Sequence, residues 1–170
     1  MLKSIEFKYG KGFYAIEVPE NADILSIREP EFHITLEKFA DDFSLHLPKN
    51  ISDYKAVSIV VADKTRLCDY KTYLPWVLNI LHQKGIENRH IQFFIAYGTH
   101  SRQSDEESLT AYGDIYQKYR FIHPDCNDKS LFTYLGKTER GTMVHVRKDI
   151  LESDLIITFG ALSHHYFAGY

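Results

Sequence analysis

Three apolar runs rich in β-branched and aromatic residues constrain the fold of this chain more than any other feature. They are AVSIVVAD at 56–63, IQFFIAY at 91–97 and DLIITFG at 154–160. Continuous runs of this kind are typical of strands that are buried on both faces of a parallel sheet. Stretches with helical spacing lie between them. This alternation predicts an α/β fold, a Rossmann-like three-layer domain with a mainly parallel sheet.

Weaker patterns predict the flanking elements. Residues 3–8 and 13–18 indicate an N-terminal β-hairpin around the turn that contains Gly10 and Gly12. Apolar residues at helical spacing predict a helix within 29–43 and a second helix with Thr72 as N-cap, Pro75 in its first turn and Gly85 as its stop. The remaining predictions are a capping box at Ser104 and Glu107, short strands at 120–123 and 142–147, and a helical turn at 149–153.

Composition narrows the class of protein. The 170 residues are 44% hydrophobic and 25% charged, which is ordinary for a globular domain. The net charge of −3 gives no excess of basic residues that would indicate binding to nucleic acid or to an anionic membrane. No apolar stretch approaches the length of a membrane span, and the first residues lack the architecture of a signal peptide. The two cysteines have no metal-ligand spacing. We expect a cytoplasmic protein; the sequence does not indicate its oligomeric state.

Polar residues follow each predicted buried strand. Asp63, Lys64, Thr65 and Arg66 follow the first run, His100 follows the second in Gly-Thr-His, and His164 and His165 follow the third. Ligands of open parallel sheets bind outside the carboxyl ends of the strands. We therefore expect Asp63, Arg66, His100 and His165 to line one groove. Each of these residues has an ordinary alternative, as a loop cap, a turn residue or a surface charge.

The residue types at this edge suit proton transfer near a small anion. Histidine can act as a base in one direction and as an acid in the other, because its pKa lies near neutral pH. Arg66 offers a fork that grips a carboxylate, and Asp63 could orient a histidine. The residues themselves thus predict a two-histidine site for a small anionic substrate, with the roles of His123 and His164 left open. The other histidines, at 33, 46, 82, 90 and 145, are interpreted as structural.

These motifs resemble one known family. Asp63-Lys-Thr-Arg66, Gly98-Thr-His100 and ITFGALSHHYFAGY at 157–170, in this order and spacing, are similar to the nickel-pincer-dependent lactate racemases. The resemblance implies racemisation or epimerisation of a 2-hydroxy acid, with a hydride moving to a nickel-pincer nucleotide (a pyridinium thioamide/thiocarboxylate mononucleotide carrying nickel) and back. It implies that His100 and His165 are the two bases. It also implies that residues 63–66 contact the cofactor, Asp63 and Arg66 contact the substrate, and no residue of this chain ligates the metal.

The chain departs from the family pattern in ways that bear on function. Ser101 follows His100 where arginine is common, with Arg102 one place later, and Leu67 replaces a frequent proline. Family members continue with a cofactor-anchoring lysine segment and a C-terminal domain. Residues 1–170 are therefore expected to form an N-terminal, base-carrying domain that is cut before both, inactive alone and without bound cofactor. Two alternatives stand beside this one: a non-catalytic domain that binds small anions or a partner, and a metal-dependent hydrolase using His100, His123 and His165.

Overall fold

A computed structural model describes residues 1–25 and 33–162 of the chain. It divides the chain into two compact units, Met1–His33 and Ile34–Tyr170, and each is described by itself. The strands are β1 (Leu2–Tyr9), β2 (Gly12–Pro19), β3 (Val57–Ala62), β4 (Ile91–Ala96), β5 (Arg120–Ile122), β6 (Phe132–Lys137), β7 (Met143–Arg147) and β8 (Leu155–Phe159). The α-helices are α1 (Leu36–His46), α2 (Tyr70–Gln83), α3 (Asp105–Tyr112), α4 (Ile115–Lys118) and α5 (Lys148–Leu151).

The first unit contains the predicted N-terminal hairpin. Strands β1 and β2 pair antiparallel without a break from Leu2 opposite Pro19 to Tyr9 opposite Gly12. The turn between them needs a residue with positive φ, and Gly10 supplies it with a φ of 60°. The hairpin prediction is confirmed.

The second unit is built on a four-stranded parallel sheet in the order β5-β4-β3-β8. The three apolar runs form its β3, β4 and β8, so the predicted α/β class with a parallel sheet is confirmed. Strands β6 and β7 pair with each other as a separate antiparallel hairpin. Because β3 lies between β4 and β8, the loops that follow these three strands leave the sheet side by side at its carboxyl edge.

One face of the sheet packs against α2, α3 and α4. Ile59 of β3 and Phe93 of β4 are both 0% exposed, and they share a core with Leu74 and Leu81 of α2 and with Tyr112 of α3. Burial of a side chain of this size stabilises the fold by about 1.5–3 kcal/mol. This packing makes the sheet a rigid support for the loops at its edge.

Other side chains contact the second face of the sheet. The guanidinium carbon of Arg147 lies 5.5 Å from the ring centroid of Phe94, and Ser153 Oγ lies 2.6 Å from Ser58 Oγ. Arg147 is itself paired with Asp149, so its buried charge is compensated. Both faces of β3 and β4 are therefore covered, which is why these strands carry almost continuous apolar sequence.

Two buried tyrosines close the carboxyl end of β3. The Tyr70 hydroxyl accepts the Ala62 N–H at 2.7 Å and donates to the Phe159 carbonyl at 2.9 Å, while the Tyr112 hydroxyl donates to the Ala62 carbonyl at 2.8 Å. Burial raises the pKa of both phenols well above the ordinary value. They remain neutral, and the last residue of β3 has both backbone groups satisfied just before the chain enters the 63–66 segment.

The structure corrects two helix boundaries. Helix α1 begins at Leu36, and Thr35 is its N-cap because its side-chain oxygen accepts the Lys38 N–H. Residues 33–35 precede the helix, and the start predicted at residue 29 lies outside the described residues. The prediction that Thr72 caps α2 is wrong. Asp69 is the cap, in a left-handed conformation with φ 54°, and its carbonyl accepts the N–H groups of both Thr72 and Tyr73. The helix starts earlier because Tyr70 must reach the ends of β3 and β8.

The sequence patterns did not predict strand β6 and helix α4. Strand β6 mixes polar and apolar residues and contains Gly136, which has a φ of 140° at a register shift opposite β7. Such a bulge interrupts the alternation that identifies a strand. The capping box of α3 is confirmed, since Ser104 and Glu107 bond each other's backbone N–H groups. None of the helices in the described ranges has the length and apolar character needed to cross a membrane.

Candidate active site

An aspartate and a histidine from neighbouring strand ends are in direct contact. Asp63 follows β3 and His100 follows β4, and the His100 Nδ1 lies 2.6 Å from the Asp63 Oδ2. A tight turn aims the histidine back at the sheet: Gly98 has a φ of 57°, and the His100 N–H donates to the Tyr97 carbonyl at 2.9 Å. The expectation that parallel strand ends bring these two residues together agrees with this geometry.

The carboxylate and the imidazole of this pair differ in exposure. The Asp63 side chain is 4% exposed, whereas the His100 side chain is 53% exposed. Because a carboxylate only accepts hydrogen bonds, Nδ1 carries the proton, and the neutral ring keeps an unprotonated Nε2. Among the described residues no hydrogen bond to Nε2 is formed. The arrangement therefore leaves the unprotonated Nε2 of His100 free within the described part of the chain, while the Asp63 carboxylate bonded to Nδ1 fixes the orientation of the ring.

Thr65 holds the other carboxylate oxygen of Asp63. Its backbone N–H and its hydroxyl donate to Asp63 Oδ1, at 2.8 Å and 2.6 Å. Burial alone would raise the pKa of Asp63, but the hydrogen bonds from Thr65 and His100 together outweigh it and bring the pKa below the ordinary value. Asp63 is therefore ionised at neutral pH and can stabilise a positive charge on the imidazole.

The lowered pKa of Asp63 predicts a pH dependence of stability. A carboxyl group with a lower pKa in the folded state stabilises the fold above its unfolded pKa of about 3.9, and this contribution is lost as the pH falls through the folded value. The free energy of unfolding should therefore fall more steeply below about pH 4 for the parent protein than for Asp63→Asn. Urea unfolding at a series of pH values measures this. Asp41→Asn, which removes an exposed carboxylate of α1, should keep the parent slope; equal slopes for the parent and Asp63→Asn would contradict the prediction.

The two basic residues of the 63–66 segment are used differently. The Lys64 ammonium pairs with Glu107 at the start of α3. The Arg66 guanidinium makes only a long contact, 3.4 Å, with the carbonyl of its neighbour Thr65, and no ion pair to it is formed among the described residues. Arg66 is thus the residue of this segment that can receive an anionic group, whereas the Lys64 ammonium is already paired with a carboxylate of α3.

His123, after β5, is held between two phenols. Tyr97 Oη lies 2.7 Å from His123 Nδ1 and Tyr116 Oη lies 3.0 Å from His123 Nε2, while the Tyr116 hydroxyl donates to Asp105 Oδ1 at 2.7 Å. Since Tyr116 gives its proton to the carboxylate, its oxygen accepts from Nε2–H, and Nδ1 then accepts from Tyr97. Burial, with a contribution from the nearby Arg102 guanidinium, lowers the pKa of His123. His123 is a neutral structural residue.

A polar cleft of about 490 Å³ lies beside His100. Residues 98–102 form one side and residues 123–127 the other. The groove expected from the sequence was to be lined by Asp63, Arg66, His100 and His165. Of these, His100 lines the observed cleft, whereas Asp63, which is buried against His100, and Arg66 are not among its lining residues. His164 and His165 lie outside the described residues.

The hydrolase alternative finds no support in the described part of the chain. Within residues 1–25 and 33–162, no group of three His, Cys, Asp or Glu side chains could hold a metal ion. His123 was one of the three proposed ligands, and both of its ring nitrogens are engaged by tyrosine hydroxyls. A zinc ligand needs a nitrogen lone pair directed at the metal.

Sequence reasoning missed the residues that hold this edge together. Tyr97, Tyr116 and Gln103 join the strand-end loops through hydrogen bonds, yet none of them belongs to a motif that predicts such contacts. A usable signal was the position of Gln103 within Gly-Thr-His-Ser-Arg-Gln-Ser, between the predicted base and the predicted capping box.

Fold and site together define a class: a parallel α/β domain that presents a carboxylate-oriented histidine at the carboxyl edge of its sheet. Residues 9–170 match the family described as the lactate racemase N-terminal domain. The chain belongs to this family. This confirms the resemblance of its motifs to those of the lactate racemases.

Two curated lactate racemases are similar in sequence. That of Thermoanaerobacterium thermosaccharolyticum is 24% identical over 180 residues, which cover 99% of this chain and 42% of the relative. That of Lactiplantibacillus plantarum is 28% identical over 115 residues, covering 67% of this chain and 27% of the relative. The chain thus spans less than half the length of the curated relatives it matches.

Solved structures share the fold. The lactate racemase apoprotein from Thermoanaerobacterium thermosaccharolyticum superposes with a TM-score of 0.71 and 20% identity, covering 92% of this chain and 38% of that one. A Thermotoga maritima protein superposes with a TM-score of 0.58 and 18% identity, covering 74% and 33%. At these identities the likeness supports the architecture described above.

Proposed function

We propose that this chain is the N-terminal, base-carrying domain of a nickel-pincer-dependent racemase or epimerase of 2-hydroxy acids. The observation that carries the proposal is the Asp63–His100 contact at the carboxyl edge of the parallel sheet. Family membership supports the reaction class, and the two curated relatives are lactate racemases. Racemisation needs a competent base for each enantiomer, which suits histidine.

His100 would move the hydroxyl proton of the substrate. Its Nε2 takes the proton from the C2 hydroxyl of one enantiomer and returns it in the reverse direction. The ring becomes an imidazolium in between, and the buried, ionised Asp63 stabilises that charge while fixing the ring orientation. By resemblance to the family, His165 serves as the base for the opposite enantiomer.

The 63–66 segment would supply the anion contacts. Arg66 fits the carboxylate of a 2-hydroxy acid or an anionic group of the cofactor, because its guanidinium has no ion pair among the described residues. Asp63 and Lys64 fit a direct cofactor contact less well, since both side chains are engaged within the protein. When bound, the nickel-pincer nucleotide supplies the hydride acceptor, because no side chain can take up a hydride. The described residues offer no ligand set for nickel.

The proposal is tested by following the interconversion of lactate enantiomers with chiral chromatography. One sample is the chain alone, and the second, called here the fusion protein, joins the chain to the part of the Thermoanaerobacterium thermosaccharolyticum lactate racemase that it does not match. Both receive the nickel cofactor. We expect turnover of lactate or another 2-hydroxy acid by the fusion protein and none by the chain alone. A folded, cofactor-loaded fusion protein without turnover, or racemisation by the chain alone, would contradict the proposal.

A further inference from the structure

Gln103 is a buried polar residue in the loop between the candidate base and α3. It is 1% exposed, although the neighbouring Arg102 and Ser104 are exposed. A buried amide is costly unless its donors and acceptor are satisfied. Its partners therefore show what holds this loop in place.

The side chain of Gln103 joins two loops. Its Oε1 accepts the backbone N–H of Lys64 at 2.9 Å, and its Nε2 donates to Ser108 Oγ at 2.9 Å. The amide orientation follows from chemistry, because the Lys64 N–H can only donate and must face the oxygen. The Ser108 hydroxyl donates to the Ser104 carbonyl at 2.8 Å, which leaves its oxygen to accept from Gln103.

The backbone of Gln103 bonds to the start of its own loop. Its N–H donates to Tyr97 Oη at 3.3 Å, and Tyr97 in turn contacts His123 after β5. Gln103 thus connects the segments that follow β3 and β4, and Tyr97 connects the second of these to the segment that follows β5. The Lys64–Glu107 ion pair also ties the first of these segments to α3, but both side chains are 43% exposed and such pairs contribute little.

We propose that Gln103 is a positioning residue that fixes the 63–66 segment relative to the loop of His100, so that the Asp63–His100 contact depends on it. Lys64 adjoins Asp63, and Gln103 lies three residues beyond His100, so their hydrogen bond joins the two loops beside the catalytic pair. Without this bond, the two loops can separate and His100 loses the carboxylate that selects its Nδ1–H tautomer. The catalytic meaning of this arrangement rests on the proposed role of His100.

The test compares the unaltered chain with Gln103→Met, which keeps the side-chain volume and removes the carbonyl oxygen and the NH₂ group of the side-chain amide. Loss of one hydrogen bond to the Lys64 N–H should speed its amide hydrogen exchange about 5- to 30-fold. The ratio of Nδ1–H to Nε2–H tautomers of His100, measured by ¹⁵N NMR of the neutral ring, should fall about 5-fold or more. A general loss of stability would not change the tautomer of a ring that is half exposed.

Gln92→Met is the matched control. Gln92 lies near the amino end of β4, is half-buried and donates to Ser58 Oγ at 3.3 Å, so the same chemical change is made away from the site. We expect the control to leave the Lys64 exchange and the His100 tautomer as in the parent. Equal effects of both substitutions, or no effect of Gln103→Met in a folded protein, would overturn the proposal.

The unaltered protein provides a second measurement if Gln103→Met does not fold. The Lys64 amide belongs to an exposed residue outside helices and strands, yet its bond to a buried acceptor should slow exchange at least about 5-fold relative to an open amide. An unprotected Lys64 amide would overturn the proposal. Neither measurement uses substrate or cofactor, so its outcome is separate from the racemisation assay.

Discussion

His100→Ala in the fusion protein is expected to lower the rate of enantiomer interconversion by about 100- to 10,000-fold, the usual cost of losing a general base. The substitution removes the Nε2 that takes the hydroxyl proton, while Arg66 and the sheet remain in place. Because the ring also donates to the buried Asp63 carboxylate, the free energy of unfolding should fall by about 1–3 kcal/mol, which does not account for a rate loss of this size. Chiral chromatography of lactate gives the rate, and urea unfolding gives the stability.

His90→Ala is the matched control for this substitution. His90 ends the short 3-10 turn Asn88–His90 before β4, at the amino end of the strand that His100 follows. We expect its rate to remain within about twofold of the parent, as for substitutions remote from the chemistry. Near-normal interconversion by His100→Ala, or an equal loss in both variants, would show that His100 is not a base.

Asp63→Asn is expected to lower the same rate by about 1,000- to 10,000-fold through the tautomer of His100. The two Thr65 donors at Asp63 Oδ1 require an acceptor there, so the asparagine must place its oxygen toward Thr65 and its NH₂ group toward His100. An NH₂ group donates to Nδ1, which moves the ring proton to Nε2. The nitrogen that should receive the substrate proton is then already protonated.

Two measurements separate this mechanism from unfolding. The ¹⁵N spectrum of His100 should show the Nε2–H tautomer in Asp63→Asn and the Nδ1–H tautomer in the parent. Asp53→Asn, which alters an exposed residue of the 3-10 turn before β3, should change neither the spectrum nor the rate. A slow Asp63→Asn enzyme with the parent tautomer would contradict the orientation argument.

The fold could be predicted largely from local pattern, because the two central strands of its sheet, β3 and β4, are covered on both faces. Such strands are apolar at nearly every position and are visible as continuous runs. The edge strand β8 is also visible as an apolar run, although its Ile156 is 44% exposed. Strand β6 is not visible, since its bulge at Gly136 breaks the alternation. The start of α2 could not be predicted either, because contacts of Tyr70 with the ends of β3 and β8, distant in sequence, set it.

The arrangement of the site could be predicted only where the order of the strands alone determines which residues are neighbours. Parallel strand ends meet at one edge, so the proximity of Asp63 and His100 follows from the strand assignment. The contacts of Gln103, Tyr97 and Tyr116 join side chains of different loops, and no periodic pattern in the sequence predicts contacts of this kind. For the same reason the cleft between residues 98–102 and 123–127 could not be predicted from the sequence.

The hydrogen bonds of His123 with Tyr97 and Tyr116 limit what this histidine can offer to a ligand in the cleft. Each ring nitrogen is already matched to a tyrosine hydroxyl, and the direction of every proton is set by the single acceptor Asp105. His123 therefore has no free ring nitrogen to offer to a ligand, although it lines the cleft. Hydrogen bonding on this side of the cleft is left to Asp125, Cys126 and Asn127, whereas His123 can contribute only shape and dispersion contacts.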